Sequence, residues 1–255
     1  MNHQERLSID IDPSKAKRFF RKMKWLFGVY HRPAHDAQVL TRNGLLRFHN
    51  KDKTTGRILH IFRHHEFDSI ERVVTKLEEM GKLDGTRKGI VLDIGGYIGM
   101  SSTAFLLENF FEKAIAFEAS PINFRYLQEN IKLNHLDNRL IAYNMAVSDK
   151  EGTLELELCE NNYGDNRVRN KNTHSKNEFN EQERKTVKIP AKAFDNFLTE
   201  HPEINPNDIK LIWMDIQGSE PLFIAGAKNF LTKNPYVPMA MEFWPYDIER
   251  SGANV

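Results

Sequence analysis

The sequence predicts an α/β fold: a mostly parallel sheet with helices covering both faces. Three observations carry this expectation. From Gly89 onward, short apolar runs alternate with segments of helical periodicity, the pattern of strand–helix–strand units. The central runs are apolar throughout, as strands buried on both faces are. A glycine-containing turn, Gly95 to Gly99, joins the first of these strands to its helix.

The elements follow in order. Residues 15–27, KAKRFFRKMKWLF, interleave Lys and Arg with Phe19, Phe20, Met23, Trp25, Leu26 and Phe27 and suit a basic amphipathic helix. Such a helix either rests on a membrane surface or a partner, or packs on its own domain with a solvated basic face. Residues 39–48 and 57–62 lean towards strand. The turn-like KDKTTG at 51–56 lies between them, so a hairpin across it is expected. Residues 67–80 have helical spacing, and Gly81 stands where a helix-ending glycine does. These form an N-terminal helical and hairpin extension, residues 1–85, ahead of a domain spanning 86–255.

Within that domain, strands are expected at 90–94, 114–117, 140–147, 153–158, 209–214 and 237–243. Helices are expected at 101–111, 121–133 and 221–231, the second opening on Pro121, whose missing N–H costs nothing in a first turn. The polar, Asn-rich residues 160–185 read as a long surface loop, of the kind used as lids or binding elements or left without fixed structure.

Composition narrows the classes. Of 255 residues, 36 are Lys or Arg and 35 Asp or Glu, a formal charge of +1, and 40% are hydrophobic. Disorder is not expected at that apolar content and charge, and balanced charge gives nucleic acid no bulk attraction. The lone Cys159 excludes a disulfide framework within the chain and a four-cysteine zinc site. No apolar run reaches the ~20 residues of a membrane span. Residues 1–12 are polar without a signal-peptide core, so a cytoplasmic location is expected. The ten histidines form no H-x-x-x-H pair suited to a helix, since Pro33 interrupts His31 and His35, and no metal is expected.

The segment VLDIGGYIG, residues 91–99, carries the chemistry. Gly95 and Gly99 allow a tight turn and a ligand's close approach at the carboxyl end of a parallel strand, where open α/β sheets bind ligands. Tyr97 breaks the G-x-G-x-x-G dinucleotide pattern, and no G-K-[ST] follows. Glu118 ends the second strand, 25 residues after Asp93, where a carboxylate can accept both hydroxyls of a ribose. Ser148 and Asp149 follow the third strand, Asp215 ends the fourth and Glu242 the fifth. A buried apolar strand has little structural use for a terminal carboxylate, whose desolvation must be offset. Acids at several neighbouring strand ends describe a pocket for a nucleoside and a cation.

Taken together, LDIGGYIGMSS, AFEASPINFRYLQENIKLN, NMAVSDKEGTLEL and WMDIQGSEPLFIAGAKNFL resemble the FkbM-type family of class I S-adenosylmethionine-dependent methyltransferases, over about 60% of the chain. The resemblance implies a Rossmann-like sheet of seven strands with the last reversed, S-adenosylmethionine as cofactor, and O-methylation of sugars, polyketides or other small molecules. Carried over by position, Asp93, Gly95 and Gly99 would wrap the methionine part and ribose side of the cofactor, Glu118 the ribose hydroxyls, and Ser148 and Asp149 the adenine. Asp215 would lie near the cofactor amine and methyl. The chain departs from the family at Gln217, where Glu is usual in D-x-E-G, and at Gly96-Tyr97, where Ala-Asn is commoner. It ends at Val255, soon after the fifth strand, so a shorter sheet or a truncated domain is expected.

A hydroxyl acceptor gains from a base that takes its proton. Asp215 is the first candidate and Glu242 the second; His64 and His65 are expected to face solvent. Arg167 could hold an acidic group on the acceptor, and Trp244 and Tyr246 could stack on its flat face. The competing readings are a nicotinamide-dependent oxidoreductase on a related fold, a base or protein-nitrogen methyltransferase, against which residues 215–218 lack the [ND]-P-P-[YF] element, and a non-catalytic cofactor-binding module. The sequence carries no signature of oligomeric state.

Overall fold

The computed structural model describes residues 3–83, 85–86, 88–169 and 183–250. Most of the expected Asn-rich loop, residues 170–182, lies outside the described residues. The N-terminal part holds α1 (His3–Leu7), α2 (Lys15–Trp25), the hairpin β1 (Asp36–Thr41) and β2 (Gly44–His49), α3 (Thr55–Phe62) and α4 (Phe67–Glu79). The expected hairpin is therefore displaced: its turn is Arg42–Asn43, and residues 57–62 are helical, not extended. Asp52 is the reason. Its carboxylate accepts hydrogen bonds from the backbone N–H groups of Thr54, Thr55 and Gly56, which turns KDKTTG into a helix start.

The five apolar runs read as parallel strands form one parallel sheet: β3 (Ile90–Ile94), β4 (Lys113–Phe117), β5 (Leu140–Tyr143), β10 (Ile209–Met214) and β11 (Met239–Met241), in the order β11-β10-β3-β4-β5. Every residue of β3 is buried. Side chains alternate across the sheet as the pleat requires. Val91, Ala114 and Leu211 meet α4, α5 (Met100–Leu107) and α6 (Pro121–Leu133) on one face. Leu92, Ile115 and Ile212 meet phenylalanines of α7 (Phe194–Glu200), α8 (Glu220–Gly226) and α9 (Lys228–Lys233) on the other. Among the described residues this sheet has no reversed strand.

A second sheet, order β6-β9-β7-β8, contains β6 (Ala146–Ser148), β7 (Gly152–Glu157), β8 (Arg167–Val168) and β9 (Thr186–Ala193). The single strand expected over 140–147 is split between the two sheets. The Asn144 side-chain amide donates to the carbonyls of Glu118 (2.8 Å) and Ala119 (3.3 Å), and the chain leaves the parallel sheet there. The helix expected over 221–231 also divides. A Cβ on Gly226 would lie 1.8 Å from the Ser148 carbonyl oxygen, and Asp195 restarts the helix by accepting from the N–H groups of Asn229 (2.7 Å) and Phe230 (2.8 Å). The last turn, α10 (Pro245–Arg250), follows β11.

The hairpin is fastened to the domain by two asparagines. Leu45 N–H donates to Asn134 Oδ1 (2.9 Å) and Asn134 Nδ2 donates to the Leu45 carbonyl (2.9 Å). Arg47 N–H donates to Asn130 Oδ1 (2.7 Å), and Asn130 Nδ2 donates to the carbonyls of Arg47 (3.0 Å) and Ile98 (2.8 Å). Spaced one helical turn apart, the two amides act as a neighbouring strand for the open edge of β2, and Asn130 also fixes the glycine turn. Asn130→Leu would leave several buried backbone groups without partners, at about 1–3 kcal/mol each when desolvated. Urea unfolding is expected to show a loss of about 2–4 kcal/mol, with a smaller loss for a substitution at the exposed Ile122 on the same helix.

Candidate active site

Strand order reverses about β3, and the carboxyl ends of β3, β4 and β10 open onto a cavity of about 460 Å³. That is the size of a small-molecule site, at the place where open α/β sheets bind ligands. Gly95 shapes it. Its φ is +94°, and a Cβ there would stand 1.9 Å from the Asp215 carbonyl oxygen, so only glycine lets the two strand ends approach. The N–H groups of Gly95 and Gly96 both donate to the Phe117 carbonyl at 2.9 Å. Tyr97 holds φ +49° beside them, at a cost of order 1–3 kcal/mol. Its hydroxyl donates to the buried Asp52, which ties this strained residue to the helix start of α3.

Glu118 lies in the wall and organises the turn. Its Oε2 accepts from Tyr97 N–H (2.8 Å) and its Oε1 from Ser120 N–H (2.7 Å). Burial pushes its carboxyl up to about 7, against the pull of those two N–H groups. Asn123, also in the cavity wall, stands beside it with Nδ2 donating to the Tyr163 carbonyl at 2.8 Å; its Oδ1 is buried without a hydrogen-bond partner.

The other end of the cavity is acidic. Gln217 Nε2 donates to Asp215 Oδ1 (2.6 Å) and to Glu242 Oε2 (3.2 Å), so the amide bridges the two carboxyls. Burial, then the neighbouring Glu242 charge, raises the Asp215 carboxyl well above the usual range. Of the two carboxyls, Glu242 is the more exposed. Gln217, at the position that departs from the resemblance, is the residue that joins them.

The extension supplies a third acid. Asn43 is fully buried and grips the backbone of His65: Asn43 Nδ2 donates to the His65 carbonyl (2.9 Å) and His65 N–H donates to Asn43 Oδ1 (3.1 Å). This sets His65 and Glu66 into the cavity wall with Thr54 and Thr55. His65 is thus half-buried instead of solvent-facing, and burial lowers its ring to about 4, leaving it neutral. Burial and the Glu242 charge raise the Glu66 carboxyl. No composition or spacing signal marks these residues, because a loop ahead of a helix brings them in.

Several expected site residues stand elsewhere. Asp93 is buried behind the turn and accepts from the hydroxyl and N–H of Ser102, at the first turn of α5; it caps that helix and does not line the cavity. Gly99, φ +79°, is the left-handed residue before α5 and is likewise outside the lining. Ser148 and Asp149 travel with β6 into the second sheet, leaving Met145, Ala146 and Val147 at that wall. Arg167 does line the cavity, but it is 2% exposed and its guanidinium engages Asp165 (Nε 2.7 Å) and Asp247. It braces the wall as an ion-pair strut and is not turned to an acidic acceptor. Trp244 lines the cavity with the Arg167 guanidinium 5.4 Å from its ring centre, and Tyr246 is buried 5.5 Å from Trp244.

The family model described as the methyltransferase FkbM domain matches residues 93–254. The chain belongs to the FkbM methyltransferase family. It is 28% identical over 155 residues to the 2-O-methyltransferase NoeI of Sinorhizobium fredii (strain NBRC 101917 / NGR234), covering 58% of this chain and 61% of that protein. The chain thus aligns with about three-fifths of that relative's length. Among solved structures it resembles methyltransferase FkbM from Methylobacillus flagellatus KT, at 17% identity and a TM-score of 0.43, over 75% of this chain and 42% of that one. It also resembles P. horikoshii TYW2 in complex with MeSAdo, at 32% identity and a TM-score of 0.23, over 28% and 26% of the two chains. The family model begins at Asp93, so Thr54, Thr55, His65 and Glu66 come from outside the matched segment.

Glu118 makes stability depend on pH. Its folded value of about 7 lies above the ordinary glutamate value of about 4.3, so between the two the folded chain holds a proton that the unfolded chain has released. Stability from this group is present at low pH and is lost as pH rises through about 7, by up to ~3 kcal/mol. In denaturant unfolding from pH 5 to pH 8, Glu118→Gln is expected to flatten the decline seen in the parent protein. Parallel pH profiles would contradict the assignment.

Proposed function

We propose that this FkbM-family protein transfers a methyl group from S-adenosylmethionine to a hydroxyl of a small, neutral acceptor such as a sugar. The observation that carries the reading is the two-ended cavity: Glu118 with the orphaned Asn123 oxygen at one end, and the bridged Asp215–Glu242 pair at the other. The residues fit the cofactor. Glu118 and Asn123 Oδ1 offer acceptors to the donors of a ribose. Gly95 leaves room for close approach, and Asp215, Glu242 and Glu66 favour a cation.

When bound, the cofactor supplies a methyl group already activated on a sulfonium. The chain then has two tasks. It positions the acceptor in a water-poor cavity, walled by Trp244 and Tyr163 from the domain and by Thr54, Thr55, His65 and Glu66 from the extension. It also removes a proton: as the acceptor oxygen is alkylated, its hydroxyl proton passes to the Glu242 carboxylate. Gln217 holds that carboxylate in place. On this reading the extension and the domain form one catalytic unit. The name of the 2-O-methyltransferase relative supports a hydroxyl acceptor. The wall's cation, Arg167, is occupied by Asp165 and Asp247, which favours a neutral acceptor over an anionic one.

Calorimetric titration with S-adenosylmethionine, S-adenosylhomocysteine and NAD tests this. Both adenosyl ligands are expected to bind. Glu118→Ala is expected to weaken both by about 1.5–3 kcal/mol, roughly 10- to 150-fold, for lost hydrogen bonds to a charged group. Binding of NAD alone would instead assign the cavity to nicotinamide chemistry.

A further inference from the structure

The structure leaves one surface unexplained by the cavity. Helix α2 (KAKRFFRKMKW) buries only Trp25, whose ring packs on Phe48 (6.2 Å between centres) and His60 of α3 (5.5 Å). Phe19, Phe20 and, in the π-helical turn that follows, Phe27 are 58%, 70% and 63% exposed. Phe19, Met23 and Phe27 recur at i, i+4 and i+8, with Phe20 alongside, so they form a stripe and not scattered residues. Exposed aromatic stripes on a surface helix mark an interaction face.

The charge around the stripe says what covers it. Residues 13–35 contain seven Lys or Arg and no Asp or Glu, in a chain whose whole formal charge is +1. Three of the seven are balanced by the preceding loop: Lys17 pairs with Asp10 at 2.5 Å, Arg21 with Asp10 at 3.7 Å, and Arg18 with Asp12 at 3.8 Å. Lys15, Lys22 and Lys24 are exposed, with no acidic partner among the described residues. A second copy of the chain would oppose two such faces and bring like charges together. A surface of anionic lipid headgroups answers both features. It attracts the lysines, whose stems can reach outward past the rings, and it takes the phenylalanines below the headgroups.

We propose that α2 and the turn after it form a docking face for anionic lipid bilayers. The helix lies in the surface, with Phe19, Phe20 and Phe27 inserted and Lys15, Lys22 and Lys24 on the headgroups. Among the described residues no helix is long and apolar enough to cross a bilayer. Docking also has a route to the cavity. Arg21 donates to the Ile61 carbonyl of α3 at 2.8 Å, and Thr55 at the start of α3 lines the cavity. The face is thus one helix away from the wall that receives the acceptor.

Co-sedimentation of the full chain with phosphatidylcholine vesicles, with and without phosphatidylglycerol, tests this. Partition is expected to rise on the order of tenfold with the anionic lipid and to fall as salt is raised. Replacing Phe19, Phe20 and Phe27 together by Ser, or Lys15, Lys22 and Lys24 together by Gln, is expected to reduce partition by about tenfold each. Thermal unfolding should be unchanged, because these side chains are exposed. Absence of binding to anionic vesicles would overturn the proposal. So would binding that the phenylalanine variant retains in full, which would make the face a general polyanion site. A concentration-dependent dimer abolished by the phenylalanine variant would overturn it too, assigning the stripe to self-association.

Discussion

The approach of Gly95 to the Asp215 carbonyl is the contact on which the rest of the site depends. With no Cβ at Gly95, the turn after β3 sits against the end of β10, and Asp215 N–H donates to the Ile94 carbonyl at 2.9 Å. Two consequences follow. The glycine turn, folded over the Phe117 carbonyl, faces Glu118 on one side. On the other, the chain after β10 turns at once, through Gln217 at φ +52°, so that its amide reaches both Asp215 and Glu242. Glu118 and the Asp215–Glu242 pair come to share one cavity because two strand termini pack closer than any side chain allows.

The extension completes the site instead of decorating it. Asn130 and Asn134 bond to the edge of β2, Asn130 also reaches the glycine turn, and Tyr97 of that turn bonds to Asp52. Tyr97 replaces the residue commoner in the resemblance and takes an unfavourable left-handed backbone. The bond to Asp52, which itself starts α3, compensates. One chain of buried polar contacts therefore runs from the extension through the turn to the cavity. Such networks rigidify when fully satisfied and are costly when broken.

Legibility in the sequence followed the physics of each element. Strands β3, β4 and β10 and helix α6 are readable because a parallel strand buried on both faces is a bare apolar run, and because Pro121 marks a helix start. Residues 57–62 were misleading for the same reason in reverse: a short apolar run fits strand and buried helix alike, and the Asp52 cap that decides is a contact, not a pattern. Asn144, which ends β5, reads as an ordinary polar strand residue. In the site, Glu118, Asp215 and Glu242 were visible because carboxylates rarely end apolar strands without cause. The pairing of Arg167 with Asp247 was not legible, because the two lie 80 residues apart. Glu66 and Asn123 gave no signal, since tertiary packing alone brings them to the cavity.

On the proposed function, Asp215 and Glu242, bridged by Gln217 and sharing the cavity with Glu66, form a site for positive charge, and burial with the Glu242 charge raises the Asp215 carboxyl. Calorimetry in buffers of different ionisation enthalpy, between pH 6 and pH 8, measures this directly. S-adenosylmethionine and S-adenosylhomocysteine share an amino group and differ in the sulfonium charge. The sulfonium ligand is expected to release more protons, up to about one per site, and to bind more tightly as pH rises, while the affinity of the thioether changes less. Equal proton release by the two ligands, or none, would contradict it.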